Sequence, residues 1–328
     1  MNTPPDHPVR IAITGSAGLY GRALVRAIRR RLSAAHVLGI DLREPQDEAP
    51  DEFWRGDIRD PALAGVLDAF RPDAVVHLAY AVQPGRDFPA MRAVNVDGTR
   101  RLLAATAGCG ASRLLVASSG TVYGAWPDTP TVCDETTALR PRPDYYYAAH
   151  KGEVERLVAD FAVAHPRIAV SLTRPTIICG AGVRNFLSDI FLTLPCVFLP
   201  DGADTPLQFV HEDDVAEATL AIIGGAARGP FNVAPADVLT SRQIAREMGV
   251  PAVPVPLFLV AGLCRAWWTL RLPWLKTPPG LVHYARHPWV MRSTRLEREL
   301  GFTFTHSSAE AFRTLLGDPG RGPDSRGG

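Results

Sequence analysis

Short apolar runs alternate with longer amphipathic stretches through the first half of the chain. The runs are Val9 to Gly15, His36 to Asp41, Ala74 to Ala79, Arg113 to Ser119 and Ala169 to Pro175. Each is short, rich in Val, Ile and Leu, and bounded by turn-forming or polar residues, which predicts buried strands. Leu19 to Leu32, Met91 to Ala107 and Tyr147 to Ala164 repeat their apolar residues at helical spacing instead. In the last of these Val154, Leu157, Val158 and Phe161 make one stripe, so it reads as a helix with one buried face. Strands separated by helices of this length imply βαβ units and a parallel sheet covered on both sides.

After Pro175 the alternation gives way to Pro-rich loops and irregular apolar segments, and it returns briefly at Phe231 to Ala234. The expected fold is α/β, a Rossmann-type doubly wound parallel sheet with a smaller, irregular C-terminal substrate-binding region. Residues 8–175 and 208–234 form the first part, 176–207 and 235–316 the second, and 317–328 a disordered tail. No residue from Met248 to Cys264 is charged, and Trp267, Trp268, Leu270 and Trp274 come after it. Pro251, Pro254 and Pro256 interrupt this stretch and it is too short for a membrane span. Arg265 and Arg271 break the tryptophan-rich segment beyond it. An apolar helix near Leu257 to Leu270 is expected, as a lid over a substrate pocket, as ordinary core, or as a contact with a membrane surface.

The 328 residues are 46% hydrophobic and 21% charged with a net charge of +1, which describes a globular protein and gives nucleic acid no electrostatic footing. Cys109, Cys133, Cys179, Cys196 and Cys264 are scattered without metal-ligand spacing and read as buried thiols of a cytoplasmic protein, with no metal site. The first residues carry no apolar signal segment.

Chemistry enters at Thr14 to Gly21, where Gly15, Gly18 and Gly21 lie between the first strand and the first helix. Glycines there permit a tight turn and a close backbone approach to a pyrophosphate, and the helix N-terminus favours its charge. Gly15, Ser16, Ala17, Gly18 and Leu19 are therefore cofactor-binding candidates. Asp41, closing the second strand, can accept both ribose hydroxyls of an adenosine and would repel a 2′-phosphate, favouring NAD over NADP; Arg43 beside it argues the other way. Asp57 suits either an adenine amino group or a helix cap ahead of Pro61.

Lys151 is one of only two lysines, with Lys276, against 33 arginines. It lies four residues after Tyr147, so the two share a face if the segment is helical. An ammonium beside a phenol favours the phenolate and makes a general acid/base, the bland alternative being an aromatic and a cation on a surface helix.

Taken together the motifs resemble those of the extended short-chain dehydrogenase/reductase family, the NAD-dependent epimerase/dehydratase type. The resemblance runs from about Val9 to Leu316. It rests on the glycine loop, Gly56 to Ile58, His77 to Ala79, Asn95 to Thr99, Ser118 to Gly124, Tyr147-x-x-x-Lys151, Arg174-Pro175, Phe209 to Ala216, Phe231 to Val233 and Leu296 to Gly301. It implies Ser119 as the active-site hydroxyl with Ser118 its neighbour, Tyr147 as acid/base, and Lys151 as the group that holds the nicotinamide ribose and lowers the tyrosine pKa. Ile58, Leu78 and Ala79 would line the cofactor groove and Pro175 would lie against the nicotinamide. Asn95 would pin the central helix. His77 reads as a satisfied strand histidine and His150 as a solvated one. A homodimer through the Met91 and Tyr147 helices is also implied.

The activity implied is reversible hydride transfer at a secondary alcohol or ketone carbon of a small-molecule substrate. Gly120 and Thr121 stand where a dehydratase would need a further acid/base pair, so dehydration is disfavoured. A sugar-nucleotide epimerase-like enzyme is the first reading. Leu207 replaces an arginine common in nucleotide-sugar epimerases, and the segment Arg174 to Ile178 lacks their asparagine. Both changes favour the second reading, a dehydrogenase or reductase of an apolar hydroxy or keto compound. Arg184, Arg242 and Arg292 remain as candidate phosphate contacts. A non-catalytic NAD sensor is the third reading.

Overall fold

The structure is a computed structural model that describes residues 9–181, 183, 186–270 and 278–317, and for residues 186 and 187 only the backbone. The expectations for Arg184, Arg271, Trp274 and the tail beyond Gly317 lie outside the described residues.

Seven parallel strands make the central sheet: β1 (Arg10–Thr14), β2 (His36–Asp41), β3 (Glu52–Arg55), β4 (Ala74–His77), β5 (Arg113–Ala117), β7 (Ala169–Pro175) and β12 (Gly229–Val233). Their spatial order is β12-β7-β5-β4-β1-β2-β3. The order reverses between β1 and β4, and a doubly wound sheet opens its ligand crevice at the carboxyl ends of the strands beside such a reversal. Short pairs complete the strand set. They are β6 (Val132–Cys133) with β15 (Val290–Met291), β8 (Ile177–Cys179) with β11 (Phe209–His211), β9 (Val197–Pro200) with β14 (Ala252–Val255), and β10 (Pro206–Leu207) with β13 (Leu239–Thr240).

The helices α1 (Leu19–Arg31), α2 (Leu63–Phe70), α3 (Phe88–Arg92), α4 (Thr99–Gly108), α5 (Tyr146–Ala164) and α7 (Glu212–Gly224) accompany the sheet. α6 (Phe186–Thr193), α8 (Ser241–Met248), α9 (Leu257–Thr269), α10 (Val282–Arg286), α11 (Thr294–Leu300) and α12 (Ser308–Leu316) complete the set. One core layer packs α2, α4 and α5 on the sheet through residues such as Leu67, Leu102, Val154 and Val158. The other packs α1 and α7 through Leu24, Ile28, Val215 and Ile222. Strands buried on both faces have no reason to alternate polar and apolar, which explains the continuous apolar runs of the sequence.

Three elements differ from expectation. β3 and α2 are additional; Glu52 to Arg55 is a partly exposed edge strand, and its mixed composition hides it. The single helix expected over Met91 to Ala107 is instead α3, a π turn over Ala93–Gly98, and α4. Asn95, on that turn, is fully buried, and its Oδ1 accepts a 2.7 Å bond from the Ala81 amide. It ties the chain leaving β4 to the helix, and a wide turn is a common way to re-aim one side chain. His150 is buried against Asn95 and Tyr146 rather than solvated, because that face of α5 packs on the π turn.

Candidate active site

The loop after β1 turns sharply at Gly15, whose φ of +75° suits only glycine, and a Cβ there would lie 2.6 Å from the Ala79 nitrogen. A Cβ on Gly21 would sit 2.3 Å from the Gly15 carbonyl oxygen, so α1 and the loop are in direct backbone contact. Gly18 caps α1, whose first turn has no carboxylate. The helix start therefore keeps the positive end of its dipole. Asp41, at the end of β2, accepts the Ala17 amide at 3.0 Å and the Arg43 amide at 3.1 Å, which fixes its carboxylate beside the loop.

These groups border one cavity of about 910 Å³ that continues across the carboxyl ends of the strands. Gly15, Gly18, Leu19, Asp41, Asp57, Ile58, Leu78, Ala79, Ser119, Tyr147, Lys151 and Pro175 all line it. Ser16 and Ala17 do not. The Ser16 hydroxyl is buried toward Gly39 of β2, and Ala17 presents its amide to Asp41. Asp57 binds Arg59 through both carboxylate oxygens and accepts its amide, so it closes a local turn while still facing the cavity.

Ser118 and Ser119 follow β5 and divide their roles. The Ser118 hydroxyl donates to the buried Glu155, away from the chemistry. Ser119 caps the short 3₁₀ turn Gly120–Tyr123, accepts from the Thr121 hydroxyl at 3.1 Å, and lines the cavity together with Tyr147. Glu155 pairs with Arg174 at 2.6 Å, both side chains 5% exposed, and Arg174 also donates to the Tyr123 hydroxyl. This ionic pair stiffens the floor behind the serines.

Lys151 is 4% exposed; its Nζ donates to the Ala117 carbonyl at 2.6 Å and lies 3.6 Å from the Tyr80 ring centroid. Burial lowers its pKa to about 7, with Glu155 opposing. Burial raises Tyr147 above the ordinary phenol value, and the neighbouring Ser119 hydroxyl works against that rise. The expected fall of the Tyr147 pKa is therefore not what the geometry gives, because the ammonium faces Ala117 and Tyr80 and is 5.8 Å from the Tyr147 ring centroid. His77 is satisfied by Thr14 at 2.7 Å and Thr99 at 2.9 Å, and burial lowers its pKa to about 3.

Beyond Tyr147 the cavity wall becomes apolar, with Ile178, Phe191, Leu207, Met248, Val260 and Trp289 among its residues. Among the described residues lining the cavity the only cations are Arg43, beside Asp41, and Lys151, beside Tyr80. Arg242 and Arg292 are exposed and do not border it. Four of the five cysteines are buried, whereas Cys196 is half-buried on the cavity wall. Several site residues escaped sequence reasoning. Tyr80 packs against both the Lys151 ammonium and the Tyr147 ring, and the Tyr284 hydroxyl donates to the Thr121 carbonyl at 2.8 Å. The run Tyr145-Tyr146-Tyr147 was the available signal for the aromatic cluster, since Tyr145 stacks on Tyr147 and meets Tyr284 edge-on.

Parallel sheet, switch-point crevice and glycine loop define a Rossmann-type dinucleotide-binding protein, and the donor set fits NAD: helix amides for the pyrophosphate, Asp41 for a ribose. Residues 11–234 match the NAD dependent epimerase/dehydratase family, and the chain belongs to it. It is 28% identical over 319 residues to an uncharacterized protein of Mycobacterium tuberculosis, covering 94% of this chain and 83% of that one. It is 32% identical over 271 residues to a UDP-glucose 4-epimerase of Mycolicibacterium smegmatis, covering 75% and 85%. Among solved structures it shares its fold with a UDP-glucose 4-epimerase of Thermus thermophilus in complex with NAD. There the TM-score is 0.73 and the identity 22%, with 94% of this chain and 98% of the other covered. NAD is accordingly the cofactor, and among the described residues no helix is long and apolar enough to cross a membrane.

Proposed function

We propose that the protein is an NAD-dependent oxidoreductase acting at a secondary alcohol or ketone carbon of a substrate with an apolar body. The observation that carries this reading is the Ser119, Tyr147 and Lys151 cluster opening onto a cavity wall without a described cation on its substrate side. A substrate diphosphate would enter that wall with nothing among those residues to balance its charge, and a buried unpaired charge is strongly unfavourable.

In the proposed reaction the Tyr147 hydroxyl exchanges a proton with the carbinol oxygen. Ser119, which lines the cavity with Tyr147, holds the same oxygen. Lys151 would turn from Ala117 to donate to ribose hydroxyls, and the negative charge of the dinucleotide favours its ammonium form. Bound NAD supplies the hydride acceptor or donor. Pro175 and Leu78, on the cavity wall, limit where a flat ring can lie.

The Mycolicibacterium smegmatis relative favours a second reading, epimerisation of a sugar nucleotide, in which the same groups serve oxidation and re-reduction on one substrate. Incubating NAD-loaded protein with apolar secondary alcohols or with UDP-glucose, and following nicotinamide reduction and sugar epimerisation, separates the two. Net NADH formation with the apolar alcohols supports the first reading. UDP-galactose formed without net NADH supports the second.

A further inference from the structure

α9 has two apolar faces. Its inner face packs Val260, Cys264, Trp267 and Trp268 toward the protein, and Val260 borders the substrate cavity. Its outer face presents Phe258, 72% exposed, with Leu259 and with Leu263, 61% exposed, and Leu270 just beyond the helix is 68% exposed. A helix on a water-facing surface normally turns polar residues outward. On this one the only charged residue is Arg265.

The exposed apolar surface extends beyond the helix. Phe88, itself exposed, stacks on Trp268 at 6.2 Å between ring centroids, and the Arg86 guanidinium lies 5.6 Å from the Trp268 ring. Phe198 and Val253 face each other in the β9–β14 pair and are both exposed. Phe198 also lines the cavity, so the apolar exterior and the apolar cavity wall meet at Phe198 and Val260.

Charge indicates what covers this surface. From residue 248 to residue 296 the chain has no Asp or Glu, and its cations there are Arg265, Arg271, Lys276, Arg286, Arg292 and Arg295. Arg286 is paired with Asp201 and Arg295 with Glu299, whereas Arg265 lies on α9 itself. Asp201 accepts the Leu257 amide and pairs with Arg286, and Asp87 caps α3. A second copy meeting this face across a two-fold axis would bring the Arg265 charges together with no carboxylate on α9 to pair them. Anionic lipid headgroups supply that charge, and the acyl region accepts the apolar face.

We propose that α9 is a membrane-docking helix. It lies in the surface of an anionic bilayer with Phe258, Leu263 and Leu270 in the acyl boundary and Arg265 among the headgroups, at the mouth of the substrate cavity. The docking surface stands on its own observations. Its use, delivery of an apolar alcohol or ketone from the bilayer past Val260 and Phe198, rests on the function proposed above.

Flotation of the full chain with vesicles of phosphatidylcholine, with or without about a third phosphatidylglycerol, tests docking without any substrate. The wild type should float with the anionic vesicles, less so at high salt, and brominated lipid should quench its tryptophan fluorescence. Phe258→Asp with Leu263→Asp should weaken partitioning at least about tenfold while NAD binding is unchanged. Should that variant fold poorly, Leu263→Ser and the wild-type quenching carry the test. A wild type that stays with the lipid-free fraction overturns the proposal, as does a folded variant that floats like the wild type. If the wild type ignores lipid and the variant changes a dimer to a monomer in sedimentation, the face is an interface between copies and the proposal fails. None of these outcomes depends on turnover, so a failed substrate reading leaves a distinct signature.

Discussion

The Lys151 ammonium lies 3.6 Å from the centroid of the Tyr80 ring, nearer than its 5.8 Å from that of Tyr147. Tyr80 in turn meets Tyr147 edge-on and donates to its backbone carbonyl. The lysine is thus held in an aromatic and carbonyl cradle from which cofactor hydroxyls can draw it, and its burial is a strain on the fold.

That strain predicts a pH dependence. The folded pKa of Lys151 is about 7 against an unfolded value near 10.5, so between these values the unfolded chain binds more protons. Stability should therefore rise from pH 7 toward pH 10 by up to about 1.4 kcal/mol per pH unit. In Lys151→Met the rise should be absent in urea unfolding at the two pH values, while turnover falls by roughly 10²-fold or more. A variant that keeps full turnover removes Lys151 from the site.

His77 predicts the opposite end of the profile. It is buried and neutral, with a folded pKa of about 3 against 6.5 unfolded. Its contribution is present above pH 6.5 and is lost as pH falls toward 3, because only the unfolded chain takes up the proton. Urea midpoints measured between pH 7 and pH 5 should fall. In His77→Gln, which can still bond Thr14 and Thr99, that part of the slope should vanish.

The Glu155–Arg174 pair should behave as a buried ion pair. Glu155→Ala leaves the guanidinium unpaired beside Tyr123 and should destabilise by about 3–5 kcal/mol. Combining Glu155→Leu with Arg174→Met should be less damaging than Glu155→Ala alone. Chemical denaturation of the set measures this, and additive losses would contradict the pairing.

On the proposed reading Asp41, beside the glycine loop, selects between NAD and NADP. Asp41→Ser removes the carboxylate beside the glycine loop and leaves Arg43 at the cavity edge. NAD affinity should fall about tenfold or more, and NADP affinity should rise relative to it. Fluorescence titration with both cofactors reads the ratio; an unchanged ratio would show that another group reads the ribose.

Much of this architecture was legible because buried parallel strands leave continuous apolar runs. β1, β2, β4, β5 and β7 could be read that way, and the glycine loop marked the end of β1. β3 was not legible, since an edge strand with Glu52 and Arg55 exposed carries little apolar signal. The π turn at Asn95 depends on the Ala81 amide, a partner 14 residues away that no local pattern encodes. In the candidate site, the Tyr147 and Lys151 pairing was read from helical spacing and Ser119 from the family resemblance, and all three line the cavity. Tyr80 and Tyr284 were not legible, because their places come from tertiary packing around Tyr145. His150 was misjudged for the same reason: helical spacing put it off the Tyr147 face, but not into water.

The central claim is that Tyr147 moves the proton while the rest of the site holds cofactor and substrate. Its most direct test is the turnover of Tyr147→Phe on the substrate the wild type uses, with NAD affinity measured on the same preparation. Turnover reduced by about 10²–10⁴-fold with NAD affinity unchanged is the predicted result. Turnover at the wild-type rate would contradict it.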